Sequence, residues 1–98
     1  MFVTVSSYSA RIGDEDAIIA LHEDWEVNQR SEIKGFLSGE LLREIGDSNK
    51  FIVIMRFENR EAAQALANDS EYEAWCRRLL SLTNASRFTM CTSEWQCQ

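Results

Sequence analysis

The stretch from Lys50 to Leu82, KFIVIMRFENREAAQALANDSEYEAWCRRLLSL, determines the fold of this chain. Its first part, Phe51 to Phe57, is apolar at nearly every position, which is typical of a strand covered on both faces in the middle of a sheet. Asn59 then offers a side-chain oxygen that can cap a helix. Ser70 and Glu73 have the spacing of a capping box, so a second short helix is predicted directly after the first.

The second of these helices carries a single apolar stripe. Its members recur at the spacing i, i+3, i+4, i+7 and i+8. They are Tyr72, Trp75, Cys76, Leu79 and Leu80. We expect this stripe to pack on the sheet and to line any cavity that the core leaves between the helices and the sheet.

The segment before this stretch begins with a strand and a helix. The alternation from Phe2 to Ser9 predicts the strand, with hydroxyl and β-branched side chains on both faces. Acidic residues 14–16 then supply a helix N-terminus, by capping and by charge against the helix dipole. One face of the predicted helix contains Ile18, Leu21, His22, Trp25 and Gln29.

Two further strands complete the pattern. Residues 36–45 predict a strand with Leu37 and Leu41 on one face and Phe36 and Leu42 on the other. Turn-forming residues 46–49 join it to the central strand as a hairpin. A loop is predicted at 84–86, a last strand at 87–95 and a frayed tail at 96–98.

This order, β-α-β-β-α-β, predicts an α+β, ferredoxin-like fold with a four-stranded antiparallel sheet, as one domain over residues 1–98. The helices of that fold cover one face of the sheet. The central strand is apolar on both faces, with Phe51, Val53 and Met55 on one and Ile52 and Ile54 on the other. We therefore expect a homodimer in which two copies pack sheet against sheet.

Composition excludes several classes of function. The net charge of −6, from 16 acidic residues against 10 Lys and Arg, argues against a nucleic-acid partner. No apolar run approaches the roughly 18 residues of a membrane span, and we expect a cytoplasmic protein without a membrane partner. Cys76, Cys91 and Cys97 lack metal-ligand spacing and are expected to be reduced. His22 is the only histidine, so a histidine-rich metal site is excluded.

Four short segments resemble the antibiotic biosynthesis monooxygenase family. They are Gly35-Phe36 at the start of a strand, Asn49-Lys50-Phe51 at the end of the hairpin, the run from Arg56 to Ala62, and Ser70 with Trp75 in the last helix. The resemblance extends from Phe2 to Trp95 and implies the dimeric α/β barrel fold. It does not single out a substrate, because similar domains include cofactor-independent oxygenases of polyketide or quinol substrates, haem-degrading enzymes and isomerases.

The haem-degrading branch of similar proteins has a distinctive set of residues. Those proteins resemble one another in an Asn on the first strand, a Trp in the first of the paired helices and a haem-ligating His in the second. The matching positions here are Ser6, Leu66 and Cys76. All three depart from that set, so haem binding or degradation is the less favoured alternative, although a Cys thiolate can ligate haem iron.

Six residues are candidates for a substrate site. His22 is the candidate catalytic base, against the alternative of a structural histidine bonded to a backbone carbonyl. The candidate substrate-binding residues are Trp25, Trp75, Tyr8, Ser6 and Arg56. The two Trp rings would stack on a flat substrate, or else only pack in the core. The two hydroxyls would bind a substrate oxygen, or else pair with neighbouring strands.

The role expected of Arg56 is to offset an enolate or phenolate charge, and the alternative is an ion pair with a neighbouring Glu. The family resemblance implies a cofactor-independent monooxygenase that acts on a small aromatic, polyketide or quinol-like substrate, and these six residues are the candidates for its site. The competing hypothesis is a non-catalytic module that binds a small molecule on the same scaffold.

Overall fold

The computed structural model describes residues 1–97, and Gln98, the last residue of the predicted tail, lies outside the described residues. The elements are β1 (Phe2–Ala10), α1 (Glu15–Asn28), a 3-10 turn (Arg30–Glu32), β2 (Phe36–Arg43), β3 (Lys50–Phe57), α2 (Arg60–Ala67), α3 (Ser70–Leu80) and β4 (Thr83–Thr92). Within residues 1–97 no helix is both long enough and apolar enough to cross a membrane.

The four strands form one antiparallel sheet in the order β2-β3-β1-β4. This arrangement confirms the predicted ferredoxin-like fold and places the apolar β3 beside β1 in the middle of the sheet. The helices cover the face that carries Phe2 and Tyr8 of β1 and Phe51 and Phe57 of β3, all of which are buried. Against this face pack Ile18, Leu21 and Trp25 of α1, Ala63 and Leu66 of α2, and Trp75 and Leu79 of α3.

Helix capping agrees with the sequence at α2 and differs at α3. The Asn59 side chain accepts a hydrogen bond of 2.9 Å from the backbone N–H of Ala62, as predicted. In α3 the cap is Asp69, whose carboxylate accepts from the backbone N–H groups of Glu71 and Tyr72. The predicted Ser70 cap is therefore wrong by one residue, and the carboxylate adds a favourable charge at the positive end of the helix dipole.

The last strand begins earlier than the sequence predicts. Asn84-Ala85-Ser86 has the composition of a loop, but Ala85 and Ser86 pair with Ser9 and Tyr8 of β1. Pairing with a central strand satisfies their backbone groups and overrides the local turn preference.

A bulge in β2 reverses the expected orientation of Phe36. The register with β3 runs from Phe36 opposite Phe57 to Ser38 opposite Arg56, so that Leu37 is an extra residue. One extra residue switches all following side chains to the other face. Phe36 therefore lies on the helix-covered face together with Leu41, where the sequence pattern placed the two on opposite faces.

Gly35 connects the 3-10 turn to β2 in a conformation that disfavours a side chain. Its φ is +77°, and a Cβ built on it would lie 2.6 Å from the Cβ of Ala62 in α2. Its carbonyl also accepts a hydrogen bond of 2.8 Å from the backbone N–H of Glu58. The glycine thus lets the start of β2 approach the start of α2 closely.

The second face of the sheet has no helix over it. On this face the register pairs Val5 of β1 with Ile54 of β3 and Leu42 of β2 with Ile52 of β3, and Val3 of β1 lies opposite Arg56. The side chains of Ile52 and Leu42 are each 37% exposed. The apolar side chains that the sequence predicts on both faces of the sheet are therefore observed.

Candidate active site

A cavity of about 690 Å³ lies between helices α1 and α3 and the helix-covered face of the sheet. Its volume falls in the range of sites that enclose small organic molecules, about 300–1,000 Å³. Aromatic rings dominate its lining, and they are Tyr8, His22, Trp25, Phe36, Phe51, Tyr72, Trp75 and Phe88. The cavity therefore suits a flat, largely apolar ligand.

Trp75 lies at the centre of the aromatic wall. Its ring stacks on Tyr72 with an interplanar angle of 14° and meets His22 edge-on at 4.9 Å between centroids. Its indole N–H donates a hydrogen bond of 3.0 Å to the carbonyl of Leu21 in α1. Trp75 thus ties α3 to α1 and is only 6% exposed, so it serves the core and the cavity wall together.

Trp25 differs from Trp75 in the hydrogen bonding of its indole N–H. It packs edge-to-face on Phe36, with centroids 5.2 Å apart. Its indole N–H is buried and, within residues 1–97, has no hydrogen-bond acceptor. A buried unpaired donor costs free energy on the order of 1–3 kcal/mol.

The polar centre of the cavity is a hydrogen-bonded pair formed by Tyr8 and His22. The Tyr8 hydroxyl lies 2.9 Å from Nε2 of His22, and Nδ1 of His22 lies 2.8 Å from the carbonyl oxygen of Ile18. A backbone carbonyl only accepts hydrogen bonds, so Nδ1 must carry the proton. In the neutral imidazole Nε2 is then the acceptor, and Tyr8 donates to it.

Burial keeps both members of this pair uncharged. Desolvation lowers the pKa of His22 below its usual value of 6.5, and the bond to the Ile18 carbonyl opposes this only in part. Desolvation, reinforced by the nearby Cys76, raises the pKa of Tyr8 well above its usual range. At neutral pH the site therefore holds a neutral base whose lone pair is occupied by a neutral hydroxyl.

Two further ionisable groups line the cavity beside the pair. Burial raises the pKa of the Cys76 thiol, and the hydroxyl of Tyr72 opposes the shift. Burial also raises the pKa of Tyr72, whose hydroxyl donates to the sulfur of Met55 at 3.8 Å. Neither group supplies a charge at neutral pH. The charged side chains that line the cavity are all exposed, and they are Glu23, Glu26, Arg30, Glu40, Arg43 and Arg87.

The structure brings five of the six candidate residues to the cavity. Ser6, Tyr8, His22, Trp25 and Trp75 all line it. The alternative considered for His22, a bond to a backbone carbonyl, is present through Ile18, and the ring nevertheless faces Tyr8.

Arg56 is not brought to the cavity. It pairs with Val3 in the register of β1 and β3, which places it on the sheet face away from the helices. There its guanidinium lies 3.9 Å from the carboxylate of Glu40 and 3.4 Å from the Ser38 hydroxyl. The sequence alternative of an ion pair with a neighbouring Glu is thus the one observed, and Arg56 cannot offset a substrate charge from this position.

Sequence reasoning did not name three aromatic residues of the site, Phe36, Phe51 and Phe88. Phe36 reaches the cavity only because of the bulge at Leu37, which no sequence pattern indicates. Phe88 is 61% exposed on the edge strand β4 and lies at the cavity mouth. It lies within the strand predicted over 87–95, but its position opposite Ser6 depends on a register with β1 that the sequence does not reveal.

The residues present do not fit a haem group. Ser6 and Cys76 line the cavity, but Leu66 is buried in the core and does not. An iron ligand at Cys76 would need to be a thiolate, and burial favours the protonated thiol. The ring nitrogens of His22 both make hydrogen bonds within the protein. Within residues 1–97 no group of three or more His, Cys, Asp or Glu is placed to hold a metal ion.

The family model for antibiotic biosynthesis monooxygenases matches residues 1–78. This chain belongs to that family. A search of curated proteins found no match.

Solved structures share the fold of this antibiotic biosynthesis monooxygenase domain. A variant of SnoaB, a cofactor-independent oxygenase from Streptomyces nogalater, superposes with a TM-score of 0.87 at 16% identity, covering 97% of this chain and 94% of that one. Rv0793 from Mycobacterium tuberculosis gives 0.83 at 15% identity, covering 99% and 98%. SO0527 from Shewanella oneidensis gives 0.80 at 14% identity, covering 92% and 87%. At such identities the likeness concerns the fold.

Proposed function

We propose that this protein is a cofactor-independent monooxygenase of a flat aromatic, polyketide or quinol-like substrate. The observation that carries the proposal is the aromatic cavity of about 690 Å³ with one neutral base, His22, in its wall. Membership of the antibiotic biosynthesis monooxygenase family and the likeness in fold to the oxygenase SnoaB support it.

The reaction needs only a base and a dry, shaped cavity. Removal of a proton from an activated phenol or anthrone gives an anion that transfers electrons to O2. A C–O bond forms at the CH2 carbon of an anthrone or at a ring C–H of a phenol, and loss of water turns that carbon into a carbonyl, so that one oxygen atom enters the product and the other leaves as water. Apolar walls around the anion raise its reactivity and exclude competing proton donors.

We propose a part for three kinds of side chain in the lining. Trp25 and Trp75 hold the plane of the substrate between α1 and α3. Ser6, on the floor of the cavity, offers a hydroxyl to a substrate oxygen. His22 is the proton acceptor, because its depressed pKa keeps the imidazole neutral at neutral pH.

Oxygen uptake tests the proposal directly. Anthrone and a naphthoquinol are offered to the purified protein without added metal or cofactor, and O2 consumption above the rate of autoxidation is recorded with an electrode. His22→Gln should lower the enzymatic rate by about 10²-fold or more. Saturable binding of both compounds without O2 uptake would instead favour a non-catalytic binding module and contradict the oxygenase.

The functional unit is proposed to be a homodimer. The open sheet face carries Val3, Val5, Ile52 and Ile54 near its centre, and monomeric proteins rarely expose an apolar surface of this kind. The Arg56–Glu40 ion pair lies on the same face and would be enclosed by a second copy.

Substitution in this face tests the dimer. Ile54→Asp places a charge opposite Val5 and should give a monomer in sedimentation velocity at micromolar concentration. The matched control is Ile12→Asp, since Ile12 is 94% exposed outside the sheet and its substitution should leave the mass unchanged. A wild-type protein that sediments as a folded monomer would refute the dimer.

A further inference from the structure

The nitrogen of His22 that could act as a base is not open to a ligand. Nδ1 is protonated and bonded to the Ile18 carbonyl, and the lone pair of Nε2 already accepts from the Tyr8 hydroxyl at 2.9 Å. A substrate that approached His22 directly would have to break that bond. The hydroxyl oxygen of Tyr8 still has lone pairs available, because its own proton is directed at the imidazole.

Packing holds this arrangement in place. The Tyr8 ring is 5% exposed and stacks on Phe51 with centroids 6.1 Å apart. The His22 ring is held between Tyr8 and the edge of Trp75. Neither ring can turn away without opening the core, so the order of the groups is fixed by the fold.

From this geometry we infer that Tyr8 is the group that takes the proton from the substrate and that His22 acts behind it as the terminal acceptor. This inference rests on the proposed function. The substrate O–H bond breaks and a new O–H bond forms on Tyr8, while the original hydroxyl proton of Tyr8 moves to Nε2 of His22. Tyr8 is neutral before and after the step, and the products are a substrate oxyanion and an imidazolium.

The hydrogen-bond partners of the imidazole serve both of its charge states. After transfer, Nδ1–H still donates to the Ile18 carbonyl and Nε2–H donates to the Tyr8 oxygen, so both donors of the cation are satisfied. Tyr8 cannot remain as a phenolate after its own proton has moved to His22, because burial disfavours that charged form. The neighbouring ionisable groups, Cys76 and Tyr72, stay neutral by the same effect and do not compete for the proton.

The relay and direct attack by His22 predict opposite effects of one substitution. Tyr8→Phe frees Nε2 of His22 and keeps the ring that packs on Phe51. Direct action of His22 would then be unchanged or faster. The relay predicts that Tyr8→Phe and His22→Gln each slow turnover by about 10²-fold or more, and that the double variant is no slower than either one.

A ligand whose absorption spectrum reports its ionisation allows proton transfer to be measured independently of turnover. A nitronaphthol is bound to the protein at a pH where the free compound is neutral, and the nitrophenolate band gives the ionised fraction of the bound form. Wild-type protein should ionise the bound ligand, and Tyr8→Phe and His22→Gln should each abolish the band. The matched control is Ser81→Ala, which removes an exposed hydroxyl that donates to the Arg78 carbonyl outside the cavity lining, and it should leave the ionised fraction unchanged.

The outcomes are distinguishable. A phenolate band that persists in Tyr8→Phe would overturn the relay and leave the proposed oxygenase intact with His22 as the direct base. Failure of the wild type to bind the nitronaphthol would overturn the relay and the proposed function together. The ¹⁵N shifts of His22 in ligand-free Tyr8→Phe should still show Nδ1 protonated, which confirms that the variant retains the local fold.

Discussion

Gly35 allows a quantitative test of how closely β2 and α2 approach. Gly35→Ala introduces a Cβ that would lie 2.6 Å from the Cβ of Ala62, whereas Gly46→Ala introduces one with no neighbour within 4 Å. Both glycines have positive φ, +77° and +95°. The two substitutions therefore share backbone strain and differ in the steric contact alone.

The expected magnitudes follow from these contacts. A left-handed conformation costs an L-residue about 1–2 kcal/mol, and the lower entropy of the unfolded chain returns about 0.4–1 kcal/mol. Gly46→Ala should therefore lower the free energy of unfolding by about 1 kcal/mol. Overpacking adds about 1–3 kcal/mol for Gly35→Ala, because Ala62 is anchored by the α2 backbone and can give way only if the helix moves.

Urea unfolding followed by circular dichroism measures both effects. The two variants are compared at one protein concentration, since association would stabilise them by mass action. In thermal melts, Gly35→Ala should unfold at least about 4 °C below Gly46→Ala. Equal free energies of unfolding for the two variants would show that β2 and α2 are not in contact at this point.

Three other predictions concern the site and the open face. Trp75→Phe should lower the free energy of unfolding by about 1–2 kcal/mol more than Trp25→Phe, because among residues 1–97 the Trp75 N–H has an acceptor and the Trp25 N–H has none; equal losses in urea unfolding would refute this. Burial lowers the pKa of His22 in the folded protein, so the unfolded chain binds a proton at this residue first as pH falls. The contribution of neutral His22 to the free energy of unfolding is therefore fully present above pH 6.5 and is lost as pH falls through the folded-state pKa. The difference in unfolding free energy between the wild type and His22→Gln should shrink over that window, and a constant difference would contradict it. Arg56→Ala should leave O2 uptake unchanged within twofold, since Arg56 lies on the face away from the cavity. A loss comparable to that of His22→Gln would contradict this and show that Arg56 contributes to the reaction.

The main features of the fold can be predicted from local patterns. The apolar run of β3 places it in the middle of the sheet, and the Asn59 oxygen marks the start of α2 as observed. The beginning of β4 could not be predicted, because residues with turn propensity are held extended by pairing with β1. Local sequence indicates the conformation that a segment prefers, and pairing with a neighbouring strand can override that preference.

The site was predicted less completely than the fold. Tyr8 and His22 were candidates separately, but their hydrogen bond depends on how α1 crosses β1, which periodicity does not reveal. Arg56 follows Met55 directly in the chain, and a neighbour in sequence along a strand lies on the opposite face. The alternation of β3 itself already argued against a place for Arg56 in the cavity.

The bulge at Leu37 lets the cavity wall change in a way that the two central strands, β1 and β3, do not allow. β2 is an edge strand, bonded to β3 on one side only, so a gain or loss of one residue there alters few backbone contacts. Such a change would nevertheless exchange Phe36 for a neighbour of different size at the cavity, while β1, β3 and the Tyr8–His22 pair stay in place. Related proteins could therefore differ in the ligand that they bind because of a change in the length of this one edge strand. The groups that transfer protons would stay the same.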